Sequence, residues 1–405
     1  MTNKTQPERS TAKRTLFAIV GLLILSFALR PAIISIGPVL LTIQEEFGLS
    51  FAQASLLTTI PDLCMGVFAL IAPWVANRLG ADRAVVVALL VLGAAIVTRA
   101  LAGSTYSLLA TTVLSGIGIA VAGSLVGGWV KSHFPHKASL LMGVYATGLS
   151  VGSTAAAIFT GPIAEHTGSW RTGIGVWAIL CLTAVISWSV LGKRLAHPSS
   201  PPRRALEFVR LPWSNMNAWA IAVYFGCSQF LTYALLAWLA PLAAQTSFAE
   251  MDPGLLLGFY TLVSAVANLA MGMLAGGSLN KHKWLTLAAV VTIVGLAGLA
   301  FAPQVAPIIF IGLAGLGLGA AFTLGMTLPI DQTSSPEEAS AWTVFTLFIG
   351  YLVAALGPLS FGILRDHSGT YTEPLFLLLG VAIVMVCAIS RVQPLTATQG
   401  HVQAV

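Results

Sequence analysis

Charge is the scarcest property of this sequence. Only 8% of its 405 residues are Asp, Glu, Lys or Arg, whereas a soluble globular chain carries roughly 25%. Hydrophobic residues make up 57%, and apolar runs of about 20 residues or more, long enough to cross a bilayer, recur from end to end. The sequence therefore predicts an all-α integral membrane protein.

Cysteine and catalytic motifs are scarce as well. The four cysteines lie inside apolar runs without metal-ligand spacing, so we expect no disulfide and no metal site. No Gly-x-x-x-x-Gly-Lys-Ser/Thr loop and no nucleophile–base pair within a span is present, which argues against ATP use, a cofactor or an intramembrane enzyme. A receptor with a soluble output domain is not expected either, because no long hydrophilic segment is present.

Twelve apolar runs predict twelve membrane helices in two six-helix bundles. The predicted spans are 15–43, 52–76, 84–102, 106–130, 138–162, 172–192, 216–244, 254–278, 284–302, 306–330, 338–363 and 373–391. Segment 193–214 is rich in Pro, Ser, Lys and Arg and predicts a cytoplasmic linker between bundles 1–192 and 215–405.

The distribution of basic residues predicts the orientation. Sixteen of the 20 Lys and Arg residues fall in the tails or in loops on the side of the N-terminus, so both termini should be cytoplasmic. This pattern explains the net charge of +6 without a nucleic-acid partner, and it predicts a multi-pass protein of the bacterial plasma (inner) membrane. Arg99, near the end of the third span, is expected to reach the lipid headgroups.

An internal repeat supports the division into halves. Segment 114–125, LSGIGIAVAGSL, is similar to 313–324, LAGLGLGAAFTL, and the residues Glu-His-Thr-Gly at 165–168 match Asp-His-Ser-Gly at 366–369. Two similar halves with the same topology are typical of one class of secondary transporters.

The loop after the second span, PWVANRLGADR, resembles a signature of the major facilitator superfamily. The resemblance implies that the loop braces the cytoplasmic gate through Asn77, Arg78, Gly80 and Arg83. Asn77 stands where the superfamily has an acid, which weakens a charge-relay role. A shortened form, GGSLNKHK, keeps Gly276, Asn280, Lys281 and Lys283 in the second half.

Four further stretches resemble the cyanate and 2-nitroimidazole transporter family. They are LRPAIISIGPVL, LLTTIPDLCMG, GIGIAVAGSLVGGWVKSHFPHKASLLMGVY and AWLAPL. The resemblance implies cyanate-like or nitroheterocycle-like substrates. Asp62 departs from the family, because its relatives usually have an apolar residue there.

Arg30 lies near the middle of the first span, where an arginine opposes insertion by about 2.5–3.5 kcal/mol. It should therefore face the protein interior or a water-filled cavity. Two interpretations stay open: an ion pair with Asp62, or a site whose forked donors bind an anion. Pro31, Gly37 and Pro38 predict irregular backbone beside it, which is tolerated mainly where it lines a cavity.

Other candidate site residues follow from depth and helical spacing. Asp62, the acidic residue well inside a span, is a candidate proton carrier. Gln229 and Tyr233 lie four residues apart on one face of the seventh span, close to the depth of Arg30. Further candidates for substrate contact are Tyr145, Asn268 and Trp342.

These observations predict a secondary transporter that works by alternating access. Its substrate should be a small anion or an anion-like polar compound, with Arg30 as counter-charge and Asp62 favouring proton symport. We expect a monomer in the lipid bilayer, with the proton and the substrate as partners. The alternative is an exporter of apolar drug-like compounds in which Arg30 and Asp62 form a structural ion pair.

Overall fold

Twelve membrane-spanning helices are present, as predicted, in a computed structural model that describes residues 5–134, 137–195, 211–245, 252–275, 281–333 and 335–393. All regular elements of these residues are helical. They are α1 (Thr5–Leu29), α2 (Pro31–Ile34), a 3₁₀ helix (Gly37–Val39), α3 (Leu40–Phe47), α4 (Phe51–Leu79), α5 (Ala81–Ala100), α6 (Thr105–His133), α7 (Ala138–Thr167), α8 (Trp170–Gly175), α9 (Ala178–Leu195), α10 (Met216–Gln245), α11 (Pro253–Ala275), α12 (Lys281–Phe301), α13 (Pro307–Asp331), α14 (Pro336–Ser368) and α15 (Thr372–Ile389). Most of the predicted linker, together with Gly276 and Asn280, lies outside the described residues, so the domain boundaries remain a prediction.

The first span is broken where the sequence predicts irregular backbone. α1 ends at Leu29, α2 begins at Pro31, and the 3₁₀ helix contains Pro38. Proline has no amide proton, and its ring clashes with the carbonyl four residues earlier, here that of Phe27. Gly152 of α7 packs against this carbonyl, and a methyl group on Gly152 would lie 2.5 Å from its oxygen. The glycine therefore permits α7 to approach the break closely.

The second half repeats this contact. Gly357 of α14 packs against the carbonyl of Phe230 in α10, as Gly152 packs against Phe27. Phe27 and Phe230 are 203 residues apart, close to the offset of the sequence repeat. α1 and α10 therefore occupy equivalent places in the two halves.

The helix bundle has a basic end and an opposite end, which we call the outer end because the predicted topology places it outside the cell. The basic end carries Arg78, Lys131 and Lys281 at the ends of their helices. The two halves are joined near the outer end, where Ser55 donates a hydrogen bond of 2.8 Å to the carbonyl of Pro358. The hydroxyls of Thr154 and Thr261 meet at 3.1 Å on the other flank.

Asp366 of α14 closes the outer end by capping a helix of the other half. Its two carboxylate oxygens accept hydrogen bonds of 2.8 Å each from the backbone amides of Phe51 and Ala52, at the start of α4. An acidic group is favourable at a helix N-terminus, because the first amides have no partner within the helix. The matching residue in the first half, Glu165, is exposed, so the repeat is asymmetric here.

The prediction for Arg99 is wrong. Its side chain is fully buried and donates hydrogen bonds to the carbonyl of Ala32 at 2.9 Å and to the Ser115 hydroxyl at 2.6 Å. The position of Arg99 along α5 would allow it to reach the headgroups, but its side chain is directed inwards, to α2 and α6. Two acceptors inside the protein take the place of the lipid surface.

Replacing Asp366 with Asn should weaken the closure of the outer end, because the substitution removes the charge and one of the two acceptors. Spin labels at Tyr106 and Val305, which are exposed near the outer end, would report the separation of the halves by double electron–electron resonance, with the exposed Cys387 replaced by Ser. We expect a longer-distance population in Asp366→Asn. The matched control, Glu165→Gln, should leave the distances unchanged; equal distributions in both variants would contradict the role of the cap.

Candidate functional site

A cavity of about 970 Å³ separates the two halves from mid-membrane to the basic end. Arg30 lies at its inner limit, and Lys131 and Asp331 lie towards its mouth. Its walls come from α1, α4, α6 and α7 of the first half and from α13 and α14 of the second. With the predicted topology, this cavity opens towards the cytoplasm.

A smaller cavity of about 120 Å³ lies beyond the first one. Four of the predicted substrate residues line it: Arg30, Gln229, Tyr233 and Asn268. Arg30, Leu149 and Phe322 line both cavities, so these three side chains stand where one cavity meets the other.

Arg30 is held by a tyrosine of the other half. Its Nη1 atom donates a hydrogen bond of 3.0 Å to the Tyr233 hydroxyl, and the ring of Tyr233 packs edge-on against that of Tyr351, with centroids 6.2 Å apart. Arg30 and Tyr233 each lie three residues after the phenylalanine that packs on a glycine in its own half. The two residues therefore come from equivalent positions and meet between the halves.

The charges around the larger cavity leave a positive excess. Of the ionised side chains that line it, Arg30 and Lys131 are cationic and Asp331 is anionic. Asp331 is already paired with Lys281, which lies 2.9 Å away. The fixed charge facing the cavity therefore favours anions.

Asp62 is near Arg30 but is not paired with it. Asp62 is fully buried in α4, and neither carboxylate oxygen has a hydrogen-bond partner among the described residues. The ion pair considered from the sequence is therefore absent in this conformation, and Arg30 remains partly exposed to the cavities.

Polar side chains of the second half face the smaller cavity. Gln229 is 2% exposed, and its Oε1 atom has no hydrogen-bond partner among the described residues. Asn268 also lines this cavity, and its Oδ1 atom accepts a hydrogen bond from Thr323. A buried amide oxygen without a partner is costly unless a ligand or water satisfies it.

Of the two remaining substrate candidates, one faces a cavity and one does not. Tyr145 lines the larger cavity together with Arg30. Trp342 lines neither cavity and is buried in the apolar core of the second half, which also contains Phe345 and Leu324. Its aromatic ring packs in the apolar core, so in this conformation Trp342 is not among the residues that line the two cavities.

The predicted gating loop lies at the basic end, away from both cavities. Asn77, Arg78, Gly80 and Arg83 are all exposed. The guanidinium of Arg78 packs over the Trp74 ring of its own helix, 4.3 Å from the centroid. In this conformation the two halves are separated by the cavity at that end. A bracing role for the loop stays a prediction.

Sequence reasoning missed the hydroxyl groups that surround the predicted residues. They include Ser150, Ser153, Thr232, Tyr260, Thr261 and Ser264 in the smaller cavity and Tyr351 in the larger one. Hydroxyls are common in membrane helices, where they bond to backbone carbonyls one turn earlier. Their types alone therefore did not separate the site from ordinary packing.

The sequence of this chain is similar to those of known transport proteins. Residues 16–358 match the family model described as Major Facilitator Superfamily. The chain is 30% identical to the cyanate transport protein CynX of Escherichia coli over 87% of this chain and 91% of that protein. It is 30% identical to the 2-nitroimidazole transporter of Escherichia coli over 92% of this chain and 94% of that protein. It is 26% identical to a probable nitrate/nitrite transporter, NarK2, of Mycobacterium tuberculosis, over 86% of this chain and 89% of that protein.

Solved structures show the same fold. A bacterial homologue of the human lysosomal transporter Spinster superimposes with a TM-score of 0.71 at 18% identity, covering 96% of this chain and 97% of that one. The arrangement of helices is therefore that of a known class of membrane proteins.

Removing the Tyr233 hydroxyl should destabilise the protein. Tyr233→Phe leaves Nη1 of Arg30 without its acceptor, and a hydrogen bond to a charged group contributes about 1.5–3 kcal/mol. Thermal unfolding in detergent should show a midpoint lowered by a few degrees. Tyr224 on the same helix offers a matched control, because its buried hydroxyl has no partner among the described residues. Tyr224→Phe should be neutral or stabilising; equal losses in both variants would contradict the contact.

Proposed function

Because the chain belongs to the Major Facilitator Superfamily, we propose that it carries a small anion or an anion-like polar compound by alternating access. As a member of that family it is a multi-pass transporter of the bacterial inner membrane and not an enzyme. Arg30 binds the anion at mid-membrane, and Asp62 couples the movement to protons. One observation carries this proposal: a guanidinium lines both cavities and has a tyrosine, not a carboxylate, as its partner.

The surroundings of Arg30 support an anionic substrate. A guanidinium offers several N–H donors in one plane, which suits the oxygens or nitrogens of a small planar anion. Tyr233 occupies one of these donors, and Arg30 remains partly exposed to the cavities. Gln229 and Asn268 stand across the smaller cavity and would contribute amide groups to the same ligand.

The comparisons support the same substrate class. The names of the relatives refer to cyanate, to 2-nitroimidazole and to nitrate or nitrite. Cyanate, nitrate and nitrite are small anions, and a nitro group carries similar acceptor oxygens. We infer a substrate of this kind, with Tyr145 and Tyr351 at the entrance to its site.

Asp62 supports proton coupling through its position. Its carboxyl is buried in α4 and has no hydrogen-bond partner among the described residues. An ionised carboxylate needs a counter-charge in such surroundings, and Arg30 is the nearby candidate. A proton on Asp62 would free Arg30 for an anion, which is the relation that symport requires.

The exporter alternative has less support. It requires Arg30 and Asp62 to form a structural ion pair, and the two side chains are apart in this conformation. It also leaves the positive excess of the cavity without a use, because apolar compounds gain nothing from it.

Uptake of cyanate and a panel of small anions into proteoliposomes under an imposed pH gradient tests the anion site. Arg30→Ala should lower uptake by about 100-fold, because it removes charge-assisted hydrogen bonds of about 1.5–3 kcal/mol each. Arg30→Lys should lose about tenfold, since an ammonium keeps the charge but not the fork. If wild type moved only neutral or cationic compounds, the exporter interpretation would replace this one.

Asp62→Asn should separate accumulation from exchange. The amide cannot carry a proton, so the variant should fail to concentrate an anion under a pH gradient, whereas exchange of labelled for unlabelled anion across the membrane should continue. Wild type assayed in both modes is the control. A variant that still concentrates substrate would remove Asp62 from the coupling mechanism.

A further inference from the structure

Arg99 is a buried cation whose contacts connect it indirectly to the candidate site. It is among the largest fully buried side chains. Its acceptors are the carbonyl of Ala32 and the hydroxyl of Ser115, and neither is a carboxylate. Burying a guanidinium without a counter-charge is unfavourable, so its two hydrogen bonds must hold something that the fold requires.

The carbonyl of Ala32 belongs to the broken segment of the first span. In a continuous α-helix the amide of Ile36 would bond to it, but here that amide bonds to the carbonyl of Ile33 at 3.2 Å. A buried carbonyl needs another donor, and Arg99 supplies one with a charge, which makes the bond stronger than a neutral one.

Ser115 fixes the other side of the Arg99 guanidinium. Its hydroxyl accepts from Nη2 of Arg99 and donates to the carbonyl of Thr112 at 2.9 Å, within α6. The guanidinium therefore ties α2 to α5 and α6, which all belong to the first half. Ala32 is two residues beyond Arg30, so this tie fixes the backbone from which Arg30 extends towards Tyr233.

We propose that Arg99 is a positioning residue for the anion site, acting through the Ala32 carbonyl on the placement of Arg30. The inference rests on the proposed function, because it takes anion binding by Arg30 as given. Arg99 itself does not line either cavity, so its substitution should affect the substrate only through Arg30.

The concentration dependence of anion uptake in proteoliposomes tests this role. Arg99→Met should raise the half-saturation concentration by about tenfold, the size of one hydrogen bond to a charged group, with the maximal rate changed less than about twofold. Arg99→Lys should restore part of the affinity, because an ammonium can still donate to the Ala32 carbonyl. Ser115→Ala should give about a threefold increase, since it removes one of the two anchors.

Thr112→Val is the matched control. Its hydroxyl is equally buried in α6 and bonds to the carbonyl of Leu108, so its loss should leave the half-saturation concentration unchanged. Amide hydrogen exchange provides a second readout: the backbone at 32–36 should exchange faster in Arg99→Met than in wild type, and Ser115→Ala reports the same effect if Arg99→Met does not fold.

The outcomes separate this inference from the function on which it rests. If wild type takes up anions, and all Arg99 and Ser115 variants have the same half-saturation concentration as wild type, the positioning role is overturned. Faster exchange at 32–36 without a change in half-saturation would also overturn it, because Arg99 would then act on stability alone. Absence of wild-type anion uptake would overturn the proposed function, and this inference would fall with it.

Discussion

A guanidinium near the middle of a membrane is the constraint on which the rest of this structure depends. The chain cannot leave Arg30 to the lipid, and the side chain is too deep to reach either surface. The fold meets the constraint by ending α1 just before Pro31, by placing the Tyr233 hydroxyl within 3.0 Å, and by opening a cavity beside the charge. The break, the contact between the halves and the cavity therefore belong to one solution.

The internal repeat sets equivalent backbone positions in the two halves, and the side chains at these positions differ between the halves. Phe27 with Gly152 and Phe230 with Gly357 build the same close contact twice. Three residues further on, one half places Arg30 and the other places Tyr233. Small residues are retained where two backbones must approach, whereas side chains that face the cavity are free to diverge. Equivalent backbone positions thus carry a charge in one half and a neutral acceptor in the other.

Much of the fold could be predicted because its signals are one-dimensional. Span length needs no knowledge of packing, and the prolines beside Arg30 mark the break directly. Gln229 and Tyr233 could be placed with Arg30 because depth and the helical period both follow from counting.

Residue spacing along the chain could not predict which face of a helix meets protein and which meets lipid. Arg99 lies in a helix that is apolar around its middle, so no polar stripe indicates which side meets protein and which meets lipid. Trp342 lies in α14, where Ser340, Thr343 and Tyr351 face the larger cavity and Trp342 does not. The expectation for Arg99 therefore had the right depth and the wrong direction, and Trp342 was assigned to a site that its ring does not reach. The pairing of Asp62 with Arg30 was equally difficult to predict, because residues at the same depth in neighbouring spans need not be in contact.

The identity of the partner of Arg30 has a consequence for binding. A carboxylate at the place of Tyr233 would hold the guanidinium strongly, and a substrate anion would have to replace one negative charge with another. A phenol satisfies the same donor with a weaker bond and brings no charge, so an arriving anion gains the full attraction of Arg30. In the proposed mechanism the competing charge is Asp62, and protonation removes it. Proton and anion binding are then linked reciprocally, because each ligand relieves what the other must overcome.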